Sequence, residues 1–238
     1  MTVESTGRDT VRRPWLLRLL PDRAALSVFT RVYRGRHGHE ASLYRDASLR
    51  HAPDVRMELV PGDVISDAIA FTGLFEPQVS RRVAQLARRG GLFVDVGANL
   101  GYFSLLWAAG HPRNRGVAFE ASPRNVDLLR RNVARNGVAA RIDVIPFAAG
   151  DANGELAFDL GPADQTGWGG FAPAGAAGAV RVRVVRVDEI VPPEEPVALL
   201  KVDIEGYNLT IFPNGRAIIA GTSDPDVART LYAKYVGN

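Results

Sequence analysis

The residues best suited to chemistry lie in one short segment, FVDVGANLGYFS, at positions 93–104. It places a carboxylate at Asp95 and then Gly97, Asn99 and Gly101 in close succession. Apolar residues on both sides of Asp95 predict a strand buried on both faces, which ends at the carboxyl edge of a sheet, where open α/β folds bind ligands. The glycines let the backbone approach a ligand closely, and asparagine tolerates left-handed dihedral angles. The segment therefore predicts a ligand-binding turn between a strand and a helix.

A second carboxylate, Glu120, follows a second apolar strand and lies 23 positions after Gly97. In a strand–helix–strand unit of about 30 residues, this spacing places the acid beside the ligand of the first turn, where ribose hydroxyls donate to it. The glycine spacing is one residue shorter than the dinucleotide pattern, and Asp95 would repel a pyrophosphate. A positively charged nucleoside, S-adenosylmethionine, suits both acids. The alternatives are a glycine turn that only packs helix on strand and, more distantly, an NAD-dependent enzyme.

A third group of polar residues, Lys201, Asp203 and Glu205, lies at the end of the apolar strand ALLKVD and just after it. We expect the Asp203 carboxylate at the same sheet edge as Asp95 and Glu120. There it could orient an acceptor hydroxyl, take its proton, or hold a divalent cation with Glu205. Methyl transfer from a sulfonium is an in-line displacement, so positioning supplies much of the rate and a strong base is optional. A helix cap at Asp203 and a structural ion pair at Lys201 remain as alternatives.

Hydrophobic periodicity predicts an α/β fold with a parallel sheet to carry these residues. The predicted strands are 92–96, 116–120, 141–147 and 198–203, and the predicted helices are 78–88, 102–109 and 123–136. Alternation at 154–160 and 180–187 predicts an inserted β-hairpin, and two short strands are predicted at 57–60 and 64–65. We expect the Gly/Ala-rich segment within the hairpin to hold no single shape. Trp168, in that segment, is predicted either to cover the ligand or to pack on its own hairpin.

Residues 1–56 are predicted to form a basic N-terminal extension, and residues 57–238 a single domain. The extension has eleven Arg against six acidic residues, a net charge of +5, whereas the whole chain carries +3. We expect residues 1–13 to be disordered, 14–33 to be helical with a break at Pro21, and 34–55 to form a linker. A basic face of this kind could bind nucleic acid, but a solvated helical segment is the favoured interpretation.

The composition of the 238-residue chain excludes several classes of protein. It has no cysteine, which rules out disulfides, thiolate zinc sites and cysteine nucleophiles. The four histidines are too sparse to predict a metal site; they are His37, His39, His51 and His111. The sequence has no run of about 18 apolar residues and no signal-peptide pattern. We therefore expect a cytoplasmic protein without a membrane span.

Five stretches of the sequence resemble the FkbM family of class I S-adenosylmethionine-dependent methyltransferases. In the family's order and spacing, they are GLFEPQV (73–79), FVDVGANLGYFSLLWA (93–108), AFEASPRNVDLLRRNVARNG (118–137), VIPFAAGDANGE (144–155) and LLKVDIEG (199–206). The resemblance implies a Rossmann-like sheet and O-methylation of a small or glycan-like molecule, often a natural-product intermediate. The cofactor-binding residues that it and the turn geometry indicate are Asp95, Gly97, Ala98, Asn99, Gly101, Tyr102, Glu120, Ala121 and Ser122, with Ala148 or Asp151 beside the adenine.

The C-terminal sequence departs from the family pattern. Residues 211–238 offer at most one strand, where a class I sheet needs about three more. We expect a shortened or altered chain end, or an acceptor side completed by the N-terminal segment or by a second subunit of a homo-oligomer. Two other functions stay open: a nucleic-acid methyltransferase, which the acidic site loops disfavour, and a catalytically silent binding module.

Overall fold

The computed structural model describes residues 17, 19–32, 44–192, 194–204, 207–211, 217–220, 222, 224–228 and 230. Within them the strands are β1 (Asp46–Ser48), β2 (Arg56–Glu58), β3 (Leu92–Val96), β4 (Arg115–Phe119), β5 (Ile142–Ile145), β6 (Ala148–Gly150), β7 (Gly154–Asp159), β8 (Gly170–Ala172), β9 (Val180–Arg186), β10 (Val197–Ile204), β11 (Tyr207–Ile211) and β12 (Ala217–Ala220). The helices are α1 (Asp22–Val32), α2 (Val64–Thr72), α3 (Pro77–Ala87), α4 (Tyr102–Gly110), α5 (Pro123–Arg135) and α6 (Val187–Ile190). No helical segment in these ranges combines the length and apolar character that crossing a bilayer requires.

A six-stranded sheet with the order β12-β11-β10-β3-β4-β5 forms the centre of the molecule. The strands β10, β3, β4 and β5 pair in parallel, whereas β11 and β12 are antiparallel additions. The order β5-β4-β3-β10 is that of the first half of a doubly wound sheet, whose direction of winding reverses between β3 and β10. The structure thus confirms the α/β prediction, and it places the ends of β3 and β10 at the switch point where such folds bind ligands.

The two faces of the central sheet are buried against different partners. Phe93 of β3 and Ala118 of β4 belong to the large apolar cluster that includes residues of helices α2 to α5. Val94 and Val117 belong to a second cluster, which includes Val185 of β9. Because both faces are covered, all five residues of β3 are buried, as the apolar run around Asp95 predicts.

Helix α5 has the boundaries that its sequence signals predict. Pro123 occupies the first turn after Ser122, and Gly137 follows the helix with φ of +66°. Proline suits the first helical turn because its missing N–H would have no partner there, and glycine adopts the left-handed stop without a steric penalty. The start of α5 fixes Ser122 and Asn125 beside the end of β4, which matters for the site.

The predicted hairpin forms, but it is part of a larger structure. Strands β7 and β9 pair antiparallel, and β6 and β8 complete a four-stranded sheet with the order β6-β9-β7-β8. Strand β8 lies inside the Gly/Ala-rich segment, so the expectation that this segment holds no single shape is wrong over residues 170–172. Residues 170–172 form a strand because their backbone pairs with β7, although their Gly/Ala-rich surroundings have little intrinsic preference for a strand.

Two N-terminal predictions are also corrected. Residues 64–65 start helix α2 rather than a strand, because the Asp63 side chain caps the helix by accepting from the Ser66 N–H at 2.8 Å. The linker predicted over 34–55 contains strand β1, which pairs with β2, and Leu49 is fully buried. Residues 33–43 lie outside the described part of the chain.

The C-terminal part contains more strand than the sequence predicts. Strand β11, which the sequence analysis does not predict, pairs antiparallel with β10. Strand β12 pairs antiparallel with β11 and lies within 211–238, where at most one strand was expected. Their pairing extends the central sheet beyond the switch point.

Candidate active site

The turn after β3 is held against the end of β4 by its own backbone. The Gly97 and Ala98 N–H groups both donate to the Phe119 carbonyl, at 3.0 and 2.9 Å. Asn99 takes up a left-handed conformation with φ of +50°, and Gly97 and Gly101 also have positive φ. A Cβ on Gly101 would lie 2.5 Å from Leu129 Cδ1, so glycine is required there by packing as well as by φ. These contacts confirm the tight turn that the sequence predicts.

Glu120 closes this turn and is almost completely buried. Its Oε2 accepts from the Asn99 N–H at 2.7 Å, and its Oε1 accepts from the Ser122 N–H at 2.9 Å. Burial raises the pKa of the Glu120 carboxyl, and these two N–H groups counteract that rise by stabilising the charged form. A carboxylate offers about four acceptor positions. The Asn99 and Ser122 N–H groups fill two of them, and Asn125 Nδ2 makes a long contact of 3.5 Å to Oε1, so a position on Oε2 stays open for a ligand donor such as a ribose hydroxyl.

Asp95 lies on the opposite side of the turn and is 1% exposed. Its Oδ2 accepts from the Ser104 hydroxyl of α4 at 2.7 Å. Burial raises the Asp95 pKa, whereas the neighbouring Lys201 ammonium lowers it. Lys201 is the register partner of Asp95 on β10 and is itself buried, with Nζ 5.1 Å from the centre of the Phe103 ring. The Lys201 cation therefore makes a buried negative charge at Asp95 less costly.

Asp203 comes close to the turn from the other side of the switch point. A Cβ on Gly97 would lie 2.9 Å from the Asp203 Cβ, so the absence of a side chain at Gly97 allows this approach. The Asp203 side chain is exposed, although the protein around it still raises its pKa and Lys201 acts against that rise. Glu205 lies outside the described residues. The structure places Asp203 near Asp95 and Glu120, as the sequence predicts: the Asp203 charge acts on Asp95, and the Asp95 charge acts on Glu120. The Lys201 charge acts on both aspartates.

The remaining predicted site residues fall into two groups. Ala148 and Ala121 belong to one apolar cluster near the end of β4, beside Glu120. The Tyr102 side chain is directed into the interface between α3 and α4, where its hydroxyl accepts from the Ser80 hydroxyl at 3.0 Å. Asp151 is exposed and lines a cavity of about 670 Å³ with Val94 and Arg186, on the face of the sheet opposite to Asp95.

Several buried polar atoms around the turn have no hydrogen-bond partner among the described residues. They are Asp95 Oδ1, Asn99 Oδ1, Ser122 Oγ and Asn125 Oδ1. Leaving a buried polar group without a partner costs free energy, so such groups in a native fold call for an explanation. They lie at the end of β3, in the turn after it, and at or just before the start of α5, which is where a nucleoside would bring hydroxyl and amine donors. These unpaired oxygens can accept hydrogen bonds, so the site fits a nucleoside with hydroxyl groups and cationic substituents.

We define residues 160–168 as the strap. Sequence reasoning considered only its last residue, Trp168, as a cover for the ligand and assigned no contacts to the residues before it. The Thr166 backbone N–H and hydroxyl both donate to the buried Asp63 carboxylate, at 2.9 and 3.0 Å. The Thr166 carbonyl accepts from Asn125 Nδ2 at 2.8 Å. Asp63 lies 103 positions before Thr166, and no local pattern signals a pairing over that distance.

The side chain of Trp168, the last residue of the strap, is 65% exposed. The Trp168 backbone packs against Gly161, whereas its indole faces solvent. Coverage of a ligand by Trp168 stays a prediction.

No group of three or more His, Cys, Asp or Glu side chains within the described ranges is arranged to hold a metal ion. Glu205, which the divalent-cation hypothesis needs, is not among them.

Comparison with known families matches residues 95–230 to the methyltransferase FkbM domain. This match begins at Asp95 and includes both the turn and Asp203. The chain belongs to the FkbM methyltransferase family. The resemblance inferred from DVGANLGYFS and KVDIEG is therefore confirmed.

Individual relatives overlap with parts of this FkbM-family chain. A curated relative, the 31-O-demethyl-FK506 methyltransferase FkbM of Streptomyces tacrolimicus, is 29% identical over 174 residues; the match covers 60% of this chain and 63% of the relative. The chain thus spans less than two thirds of that relative's length.

Among solved structures, the O-methyltransferase of Bacillus cereus in complex with SAH is 24% identical, with a TM-score of 0.28 over 30% of this chain and 34% of that one. P. horikoshii TYW2 in complex with MeSAdo is 27% identical, with a TM-score of 0.30 over 34% of this chain and 32% of that one.

Proposed function

We propose that this chain is an S-adenosylmethionine-dependent methyltransferase that methylates a hydroxyl group of a small or glycan-like molecule. Membership of the FkbM family supports methyl transfer, and the name of the Streptomyces relative supports a hydroxyl acceptor. The observation that carries the proposal is the buried Glu120 carboxylate, which closes the turn after β3 and is surrounded by polar atoms without partners.

Each residue of the site then has a physical role. Glu120 accepts from one ribose hydroxyl through the open position on Oε2, and from the other through Oε1 in place of the long 3.5 Å contact with Asn125. Asp95 presents its Oδ1 to the cationic part of the cofactor, while Ser104 fixes its orientation through Oδ2. Lys201 keeps the cluster of acids from accumulating uncompensated negative charge.

Asp203 is the residue that we assign to the acceptor. It lies next to Gly97 at the switch point, and its exposed side chain can reach a molecule that enters from solvent. Its raised pKa makes it a better proton acceptor than an ordinary aspartate, so it can orient the hydroxyl and take its proton as the new bond forms. The cofactor supplies the electrophilic methyl group on its sulfonium. Because the displacement is in-line, alignment of the hydroxyl contributes at least as much as proton transfer.

Two measurements on the purified chain test this proposal. Calorimetric titration with S-adenosylhomocysteine should give saturable binding, and the Asp143→Asn variant, which removes an exposed charge on β5, should bind equally well. Incubation with radiolabelled S-adenosylmethionine should label hydroxyl-bearing small molecules and leave mixed RNA unlabelled. Absence of heat at high micromolar ligand would support a silent binding module, and labelling of RNA alone would support the nucleic-acid alternative.

A further inference from the structure

The strap, residues 160–168, has the geometry of a small closed loop. A Cβ on Gly161 would lie 2.8 Å from the Trp168 carbonyl oxygen, so the two ends of the strap touch each other. Gly161 has φ of +64°, and two further glycines, Gly169 and Gly170, follow the strap. Compact loops whose ends meet can move as units about such flexible ends, and they often act at functional sites.

Hydrogen bonds hold the strap down on two sides. On one side Gln165 accepts from the Val64 N–H and donates to the Gly62 carbonyl, and Thr166 donates twice to Asp63. On the other side, the start of α5, Arg124 donates to the Leu160 and Gln165 carbonyls, and Asn125 to the Thr166 carbonyl. None of residues 161–168, all of which the structure describes, belongs to a buried apolar cluster. Leu160, the first residue of the strap, packs against the apolar cluster that contains Phe158 and Val184. Residues 161–168 can therefore open by exchanging hydrogen bonds with water while Leu160 stays packed.

Asn125 connects the strap to the residues of the proposed cofactor site. Its Nδ2 donates to the Thr166 carbonyl at 2.8 Å and makes a longer contact of 3.5 Å with Glu120 Oε1. Both of these oxygens are acceptors, so Nδ2 must face them, and the Oδ1 on the other branch of the amide has no partner within the described residues. The Asn125 side chain is 3% exposed, which makes an unsatisfied Oδ1 costly.

The next strap residue, Gly167, reaches the turn after β3. A Cβ at Gly167 would lie 2.7 Å from Ile65 Cδ1 and 3.8 Å from Asn99 Nδ2. The strap thus passes between the start of α2 and the start of α5 and lies against Asn99, whose N–H is bonded to Glu120. This places the strap beside the nucleoside position.

Resting on the proposed function, we propose that Asn125 is a positioning residue that fixes the strap over the cofactor nucleoside, so that strap opening limits cofactor exchange. Its Oδ1 accepts a hydrogen bond from the nucleoside while its Nδ2 holds the Thr166 carbonyl. A bound nucleoside and a closed strap then stabilise each other through one side chain. Gln165 contributes from the far side by anchoring the strap to the start of α2.

The test compares rates of ligand exchange rather than stability alone. Stopped-flow displacement measures the dissociation of S-adenosylhomocysteine and of 5′-methylthioadenosine from the wild type, Asn125→Ala and Gln165→Ala. Asn153→Ala is the matched control, because Asn153 makes hydrogen bonds with the exposed Glu189 and Arg186. We expect both strap variants to release both ligands about five- to tenfold faster, the effect of one or two hydrogen bonds. The control should match the wild type. Hydrogen exchange at residues 161–168 should slow when ligand binds.

Two results would overturn the inference. Unchanged dissociation rates in Gln165→Ala, with or without a lower Tm, would mean that the strap is only structural. Failure of the wild type to bind S-adenosylhomocysteine at all would refute the proposed function itself, and the role of the strap with it. Wild-type binding with unaltered variants would refute the role of the strap and leave the proposed function intact.

Discussion

Replacing Glu120 by Gln tests the nucleoside site with a minimal change of shape. The Glu120 carboxylate accepts from the Asn99 and Ser122 N–H groups at 2.7 and 2.9 Å. A glutamine keeps one acceptor oxygen but turns an NH₂ group toward the second N–H donor, so one charge-assisted hydrogen bond is lost and a ribose hydroxyl loses its acceptor. Hydrogen bonds to charged groups contribute about 1.5–3 kcal/mol, which corresponds to a roughly 10- to 150-fold loss of affinity.

The same substitution should change the stability of the fold much less than it changes binding. Burial raises the pKa of Glu120, so its contribution to folding is favourable below the ordinary carboxyl pKa and is lost as the pH rises through the raised value. At neutral pH, neutralising the side chain removes the cost of a buried charge while it removes one hydrogen bond. Because these effects oppose each other, we expect a Tm change of less than about 4 °C, equal to about 1 kcal/mol for a chain of this size.

Isothermal titration calorimetry with S-adenosylhomocysteine measures the affinity, and differential scanning calorimetry measures the Tm. Asp143→Asn is the control, because it removes a charge from the exposed face of the neighbouring strand β5. Equal affinity of Glu120→Gln and wild type, with both folded, would refute the assignment of Glu120 to the ribose. A large loss of Tm in Glu120→Gln would instead mean that Glu120 serves mainly to hold the turn.

Three further predictions concern charge, catalysis and backbone geometry. S-adenosylmethionine should bind more tightly as the pH rises above the ordinary carboxyl pKa of about 4, because burial raises the Asp95 and Glu120 pKa values and the cation binds the charged forms. Calorimetry in buffers of different ionisation enthalpy should detect proton release, and affinity that falls as the pH rises would contradict this. Asp203→Asn should lower kcat by about 10²-fold or more in steady-state kinetics, while the affinity for S-adenosylhomocysteine, measured by calorimetry, stays within about threefold. An equal loss of kcat and of affinity would show that Asp203 does not act on the acceptor. Gly97→Ala should lower the free energy of unfolding, measured in urea, by about 1–3 kcal/mol. The reason is that Gly97 has φ of +80° and the new methyl group would lie 2.9 Å from Asp203 Cβ. An unchanged free energy of unfolding would mean that the turn accommodates the methyl group.

The central strands could be predicted because their sequence signals are local and agree with one another. The apolar run around Asp95 and the punctuation of α5 by Pro123 and Gly137 each fix an element without reference to the rest of the chain. The start of α2 was misassigned because Val64 and Ile65 favour strands by propensity, whereas the Asp63 cap decides for a helix. Strand β11 depends on pairing with β10, and β12 on pairing with β11, and no local sequence pattern indicates either pairing.

The site was predictable in its acids and glycines but not in its strap. Asp95, Gly97 and Glu120 follow strand ends at spacings that the strand–helix–strand unit dictates, so topology alone brings them together. Asn125 and Thr166 lie 41 residues apart in the chain and meet only in the folded structure, where the strap lies against the start of α5. The role of Asn125 could not be predicted, because nothing in the sequence distinguishes a buried asparagine with distant hydrogen-bond partners from an exposed one.

A crystal structure of the chain with S-adenosylhomocysteine tests the central claim most directly. We predict that the nucleoside lies between the turn after β3 and the strap, with both ribose hydroxyls within about 3 Å of the Glu120 carboxylate. Ligand bound instead in the cavity lined by Val94 and Arg186, on the opposite face of the sheet, would contradict the account.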